Sequence, residues 1–232
     1  TNMIISALDQ QATAEDLESE KQAIAFHTDI DSEQDVRLLF VEGGGSMKVL
    51  RHYIAIDRKT KSVVLALRGT LSVSGALIDI QGMTCDFCYG RAHKGIAEMA
   101  NGVWEESGQF ITNLFQQEEF QDYQFVITGH SLGAGTSCLL NIKCHVEQLL
   151  PENTTIKCYG FAPPPTFYCC STDQQQHHLI QKAMDHTLCY LHDNDCVPFL
   201  SVAAVRRLAL LMNMIDNYSE SIWFTKRFRL FW

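Results

Sequence analysis

One stretch constrains this chain more than any other. Tyr123–Thr128 is a run of mostly apolar residues, Gly129-His130-Ser131-Leu132-Gly133 follows without a gap, and an apolar stripe at helical spacing begins at Ala134. The run suits a strand buried on both faces. The stripe, with Ala134, Cys138, Ile142, Val146 and Leu149 on one face, predicts a helix over 134–149 that Pro151 closes. A chain that passes from buried strand to helix across five residues, two of them glycine, must turn sharply, and the glycines let strand and helix approach each other.

The same alternation extends on both sides. His52–Ile56 and the valine- and leucine-rich Ser62–Leu67 read as a hairpin through the polar turn Asp57–Lys61. Residues 93–117 read as a long amphipathic helix, with Ile96, Met99, Val103, Phe110 and Leu114 at recurring spacings. Thr155–Phe161 and His186–Leu191 are further strands, and Val202–Ile215 a further helix. Strands alternating with helices predict an α/β chain with a mostly parallel central sheet. The 232 residues fit one large domain, expected over 46–232, with 1–45 as a peripheral acidic segment.

A net charge of −9 argues against a nucleic-acid partner, which needs a basic face. Nine cysteines scattered through predicted helices and strands are not spaced as a small disulfide framework, and they read as thiols facing a reducing compartment. Cys85-x-x-Cys88 has a spacing used by zinc and redox sites, but no second ligand pair accompanies it, so no metal is expected. No apolar run reaches the roughly 20 residues a membrane helix needs. The chain starts at Thr1, so its true termini are expected to be missing.

The strand–turn–helix context gives the pentapeptide a chemical meaning. A Gly-x-Ser-x-Gly turn between strand and helix is the nucleophile elbow of α/β-hydrolases. Strained backbone angles lift the serine hydroxyl clear of the sheet. The helix start supplies free N–H groups where a negatively charged oxygen can form. Ser131 is therefore the candidate nucleophile.

At this point the chain resembles the class 3, fungal-type lipases, and among them the sn-1-specific diacylglycerol lipases. The resemblance rests on Leu67-Arg68-Gly69-Thr70, Ala92-His93-Lys94-Gly95, Gly129 to Thr136, and Asn194-Asp195-Cys196-Val197-Pro198, in the family's order. It implies an α/β-hydrolase fold and hydrolysis of diacylglycerol to a monoacylglycerol and a fatty acid, with triacylglycerol lipase, phospholipase A1 or esterase chemistry as alternatives. It implies Ser131 as nucleophile, Asp195 as the triad carboxylate in preference to Asp193, and an oxyanion hole from the N–H groups of Thr70 and Leu132. It also implies a lid or regulatory insertion over Leu71–Gly90, no cofactor, and a lipid ester substrate met at a membrane or lipid-droplet surface. Cytoplasmic or cytosolic-face localisation goes with it.

Other side chains receive plainer readings. His93 reads as a surface histidine at a helix start, His130 as structural, and Arg68 as a residue that holds loops together. The closing stretch Trp223–Trp232 alternates bulky and basic residues, which fits either a strand or a membrane interface.

The family's triad histidine follows the aspartate, and this chain has no histidine after His192. Serine without a base is a poor nucleophile. Three explanations stand: the chain is a piece of a longer hydrolase that supplies the histidine further on; it is a non-catalytic relative that binds lipid or a partner; or an upstream histidine, His186 or His192, substitutes.

Overall fold

The computed structural model describes residues 50–69 and 84–199, the strand 36–39, and single positions or short runs at 19, 22, 23, 26, 201, 203, 204, 207 and 210–215. Strands β1 (Val36–Leu39), β2 (His52–Asp57) and β3 (Ser62–Leu67) pair antiparallel in succession. Strands β4 (Thr84–Phe87) and β5 (Gly90–His93) form a hairpin, and helix α1 (Lys94–Phe115) starts directly from it. Strand β6 (Gln124–His130), helix α2 (Leu132–Val146), strands β7 (Ile156–Phe161) and β8 (Phe167–Cys169), helix α3 (Gln174–Asp185) and strand β9 (Thr187–Tyr190) complete the order.

The main sheet runs β1-β2-β3-β6-β7-β9. From β3 onward all pairing is parallel, so the C-terminal ends of β3, β6, β7 and β9 share one edge. β1 lies within the stretch 1–45 that the sequence sets apart as peripheral, yet it extends this sheet. Leu65, Ile127 and Cys158 lie side by side in register, each fully buried. Thr187, beside Cys158 on the same face, accepts a hydrogen bond from Asn141 Nδ2 of α2 at 2.9 Å. The same amide donates to the Ala183 carbonyl of α3 at 2.8 Å. Phe115 of α1 meets Phe125 edge to face at 6.0 Å. All three helices therefore cover one face of the sheet. On the other face Val126, Thr128 and Tyr159 are half-buried, and Phe161, Leu188 and Tyr190 are exposed.

α2 is buried on nearly every side, because sheet, α1 and α3 all press on it. The single apolar face expected from sequence understates that, and the helix begins two residues earlier and ends three earlier than predicted. The left-handed Gln148 (φ 52°) ends the helical path before Pro151 does. α3 and β8 are absent from the sequence reading. α3 buries only Ile180 and Ala183, so its apolar signal is faint; its start is marked by Asp173, whose Oδ1 accepts from the Gln176 N–H at 2.9 Å.

Thr84–Gly90, the end of the expected lid stretch, lies in the β4–β5 hairpin, which is backed by β8 in a second sheet. Residues 71–83 lie outside the described residues. Cys85 and Cys88 belong to this hairpin, and burial pushes the Cys88 thiol up to about 12. All nine cysteines are free thiols.

Candidate active site

The sheet's C-terminal edge collects the residues singled out in the sequence. β6 ends at His130, and the next residue, Ser131, has φ 55° and ψ −119° before α2 begins at Leu132. This is a strained backbone for any residue with a Cβ. Two contacts fix it: the Ser131 N–H donates to the Phe161 carbonyl at 2.8 Å, and the Ser131 carbonyl accepts from the Gly135 N–H at 3.0 Å. The side chain makes no capping bond to the helix. Its Oγ is buried and has no hydrogen-bond partner among the described residues. A buried hydroxyl is ordinarily satisfied, and no described residue satisfies this one.

Contact distances explain the glycines. A Cβ on Gly129 would stand 2.5 Å from the carbonyl carbon of Gly133, where strand and helix cross. At Gly69 a Cβ would fall 2.7 Å from the His130 carbonyl oxygen and 3.7 Å from Ser131 Cβ. The end of β3 thus passes directly beside the serine. Thr70 is the next residue along, and it lies outside the described residues. Leu132 is the first residue of α2, so its N–H has no intrahelical acceptor.

Asp195 lies on the same edge, five residues beyond β9. Its N–H donates to the His192 carbonyl at 3.0 Å, and its Oδ1 accepts from the Val197 N–H at 2.9 Å, which fixes the carboxylate at the start of the short 3₁₀ turn Val197–Phe199. Asp195 is half-buried and Asp193 is exposed.

The histidines divide by location. His186 stands just before β9 and His145 near the end of α2, so both lie at the opposite edge from Ser131, where their rings stack at 5.9 Å. His186 as a substitute base is therefore misplaced by the length of a strand, about 13 Å. His192 is exposed on the correct edge. His93, expected at the surface, is buried where β5 passes into α1, with its N–H bonded to the Thr166 carbonyl at 2.9 Å. His130 and Arg68 are exposed.

Sequence reasoning missed several neighbours. His52 pairs with Leu67, so it belongs to the same edge; it is buried, and its Nδ1 meets the Leu50 carbonyl at 2.7 Å. Phe161 and Tyr190 stack at 4.9 Å on the tips of β7 and β9. Ala162 is left-handed at φ 53° and bonds through its N–H to the Tyr190 carbonyl at 2.8 Å. No local motif marks these residues, because the parallel register of distant segments creates their proximity.

Known proteins share this fold. Lipase (class 3) is the family description that matches, over residues 64–204. The chain belongs to the class 3 lipase family. Diacylglycerol lipase-alpha of Homo sapiens is 32% identical over 123 residues, 48% of this chain and 11% of that protein. Diacylglycerol lipase-beta of Mus musculus is 29% identical over 179 residues, 72% of this chain and 24% of that protein. The chain thus spans about a quarter or less of the length of these two relatives. Among solved structures, lipase from Rhizopus microsporus var. chinensis matches with a TM-score of 0.59 at 18% identity, covering 84% of this chain and 72% of that one. A triacylglycerol lipase described as having a serine protease triad as its catalytic centre matches with a TM-score of 0.59 at 17% identity, covering 84% and 78%. These likenesses establish the α/β-hydrolase fold for this class 3 lipase chain.

Proposed function

We propose that this chain is the serine-bearing core of an acylglycerol ester hydrolase, acting through an acyl-enzyme on Ser131. The observation that carries this is the buried, unpartnered Oγ of Ser131 on a strained turn at the start of α2. In this reading Oγ attacks the ester carbonyl while an imidazole takes its proton. The N–H groups of Leu132 and Thr70 hold the resulting oxyanion, each such donor being worth about 2.7–4 kcal/mol of barrier. The imidazole then returns the proton to the leaving alkoxide, and water releases the fatty acid. Asp195, anchored by the Val197 N–H, orients that imidazole.

Diacylglycerol is the substrate this reading favours, supported by identities of 28–32% to diacylglycerol lipases and to a secreted mono- and diacylglycerol lipase of Fusarium solani. Such a substrate places the enzyme at a membrane or lipid-droplet surface. No cofactor enters the chemistry. The second reading is a non-catalytic protein that binds lipid or a partner.

Labelling by a fluorophosphonate, with a diacylglycerol hydrolysis assay alongside, separates the two. Labelling and fatty-acid release that vanish together in Ser131→Ala are the expected result. A chain that binds diacylglycerol but shows neither, even when extended at its C-terminus by a class 3 lipase histidine segment, overturns the enzymatic reading.

A further inference from the structure

The loop that carries Asp195 is tied mainly to itself. The Asp195 N–H donates to the His192 carbonyl, the Val197 N–H to Asp195 Oδ1, and the Phe199 N–H to the Cys196 carbonyl. Among the described residues, no hydrogen bond joins 191–199 to another strand or helix. The loop is therefore held to the sheet through its entry, the tip of β9. That strand has four residues and is outermost among the described strands of the main sheet. The end of such a strand is where a sheet opens first.

Ser131 reaches the same tip from the other side. Its N–H donates to the Phe161 carbonyl, Phe161 pairs with Tyr190, and the left-handed Ala162 donates its N–H to the Tyr190 carbonyl. At the site edge, the described bonds between the serine turn and the Asp195 loop thus run through one joint, Phe161–Ala162 with Tyr190. Across that joint the two rings stack at 4.9 Å and 14°, although Phe161 is 44% and Tyr190 50% exposed. Rings left this open gain little from burial. What the pair contributes is the cross-strand contact itself, which resists opening and sliding of the two tips.

We propose that Phe161 and Tyr190 are positioning residues for the hydrolysis: their stacked rings clamp the tips of β7 and β9 and so hold the Asp195 carboxylate in place relative to Ser131. This rests on the hydrolase reading above, in which Asp195 orients the imidazole that serves Ser131. Neither ring touches the reacting atoms in this proposal. Phe161 acts through its carbonyl on the serine turn, and Tyr190 acts through the chain that leads from it to Asp195 five residues on. A clamp of this kind alters the rate of the chemical step and leaves ground-state binding alone, because misalignment of the catalytic groups is felt in the transition state.

The test compares Phe161→Leu, Tyr190→Leu, the double variant and Tyr190→Phe, which keeps the ring. Diacylglycerol hydrolysis is measured in whichever form releases fatty acid, the chain alone or the chain with the histidine segment described above. Amide hydrogen exchange is measured alongside. Each leucine variant is expected to lose about tenfold in kcat, within the hundredfold that a misplacement of about 1 Å can cost, with KM within about twofold of the parent. The double variant should be no slower than the slower single one, since both remove the same contact. Tyr190→Phe should be parental. The amides of Ser131 and Ala162, whose acceptors lie on the joint, should exchange about two- to tenfold faster in the leucine variants, with the Ile127 amide and the thermal midpoint unchanged. Leucine variants with parental kcat overturn the proposal while leaving the hydrolase reading intact. So does a rise in KM at parental kcat, which would make the rings a substrate contact. A large fall in the thermal midpoint, with exchange faster throughout the sheet, overturns it too, because the rings would then serve overall stability. A parent that shows no Ser131-dependent hydrolysis in either form overturns the hydrolase reading, and this proposal with it.

Discussion

A Cβ added to Gly133 would stand 2.4 Å from the carbonyl oxygen of Leu67. The first turn of α2 is thus pressed against the backbone of β3, one strand away from the β6 that leads into it. Gly133→Ala is expected to destabilise the fold by about 1–3 kcal/mol, the usual range for overpacking a filled site. Because the atom it would strike is backbone, the turn carrying Ser131 must shift to accommodate it. Urea unfolding reads the first effect and fluorophosphonate labelling the second. A variant with parental stability would show that the approach is looser than described.

Ser131 itself should be nearly silent in stability when shortened. Its Oγ makes no hydrogen bond among the described residues, so Ser131→Ala is expected to shift unfolding by no more than about 0.5 kcal/mol. Ser131→Gly should be the more stable of the two, since glycine accepts φ 55° without strain. Calorimetry of the three proteins orders them. A clear loss on Ser131→Ala would mean that the hydroxyl has a structural partner.

Asn141 should behave in the opposite way. It is fully buried and its amide ties α2 to Ala183 of α3 and Thr187 of β9. Asn141→Ala is expected to cost about 1–3 kcal/mol, because two buried or half-buried hydrogen bonds that tie three elements together are lost at once. Chemical denaturation measures it, and an unchanged midpoint would contradict the described network.

Acid should weaken the protein through two buried histidines. Burial holds the pKa of His52 and of His145 below the ordinary 6.5. Their unfolded forms therefore bind protons more readily than the folded ones. The stability from keeping them neutral is complete above about pH 6.5 and is lost as pH falls toward the depressed folded values. Urea midpoints measured from pH 8 down to 5 should fall in that window, and His145→Gln should flatten part of the slope. A pH-independent midpoint would show that neither ring is protected.

At Asp195 the conservative and the truncating variants should part. Asparagine keeps an oxygen for the Val197 N–H, whereas alanine removes it, at about 0.5–1.5 kcal/mol. Under the proposed mechanism both variants lose hydrolysis, because neither holds an imidazolium. Asp195→Asn that is stable and fully active would remove Asp195 from the site.

The strand, elbow and helix around Ser131 were legible because local spacing determines them: a buried run, a glycine-flanked turn and a helical stripe follow in order. Asp195 was legible only through its motif. α3 was not, since only two of its twelve residues are buried and its cap lies in a polar stretch. β4, β5 and β8 are three or four residues each, too short for alternation to speak. His52, Phe161 and Tyr190 reach the site edge through strand register, which no window of sequence contains. The burial of His93 has the same origin, a backbone bond to Thr166 more than seventy positions away.

The order of that register bears on how the protein folds. Leu67 is matched with Gly129, and Phe161 with His130 and Tyr190, so the turn at Ser131 is bracketed by segments about 60 and 30 residues distant. Each parallel pairing requires a long loop to close before any contact rewards it, which makes such sheets slow to form. Of the two contacts that fix the serine turn, the bond from the Gly135 N–H is local, but the bond to the Phe161 carbonyl forms only once β7 has joined β6. On a folding chain, affinity for a serine-directed probe should therefore arise late, together with native structure, and an intermediate with its helices formed but its sheet unpaired would leave the probe unreacted.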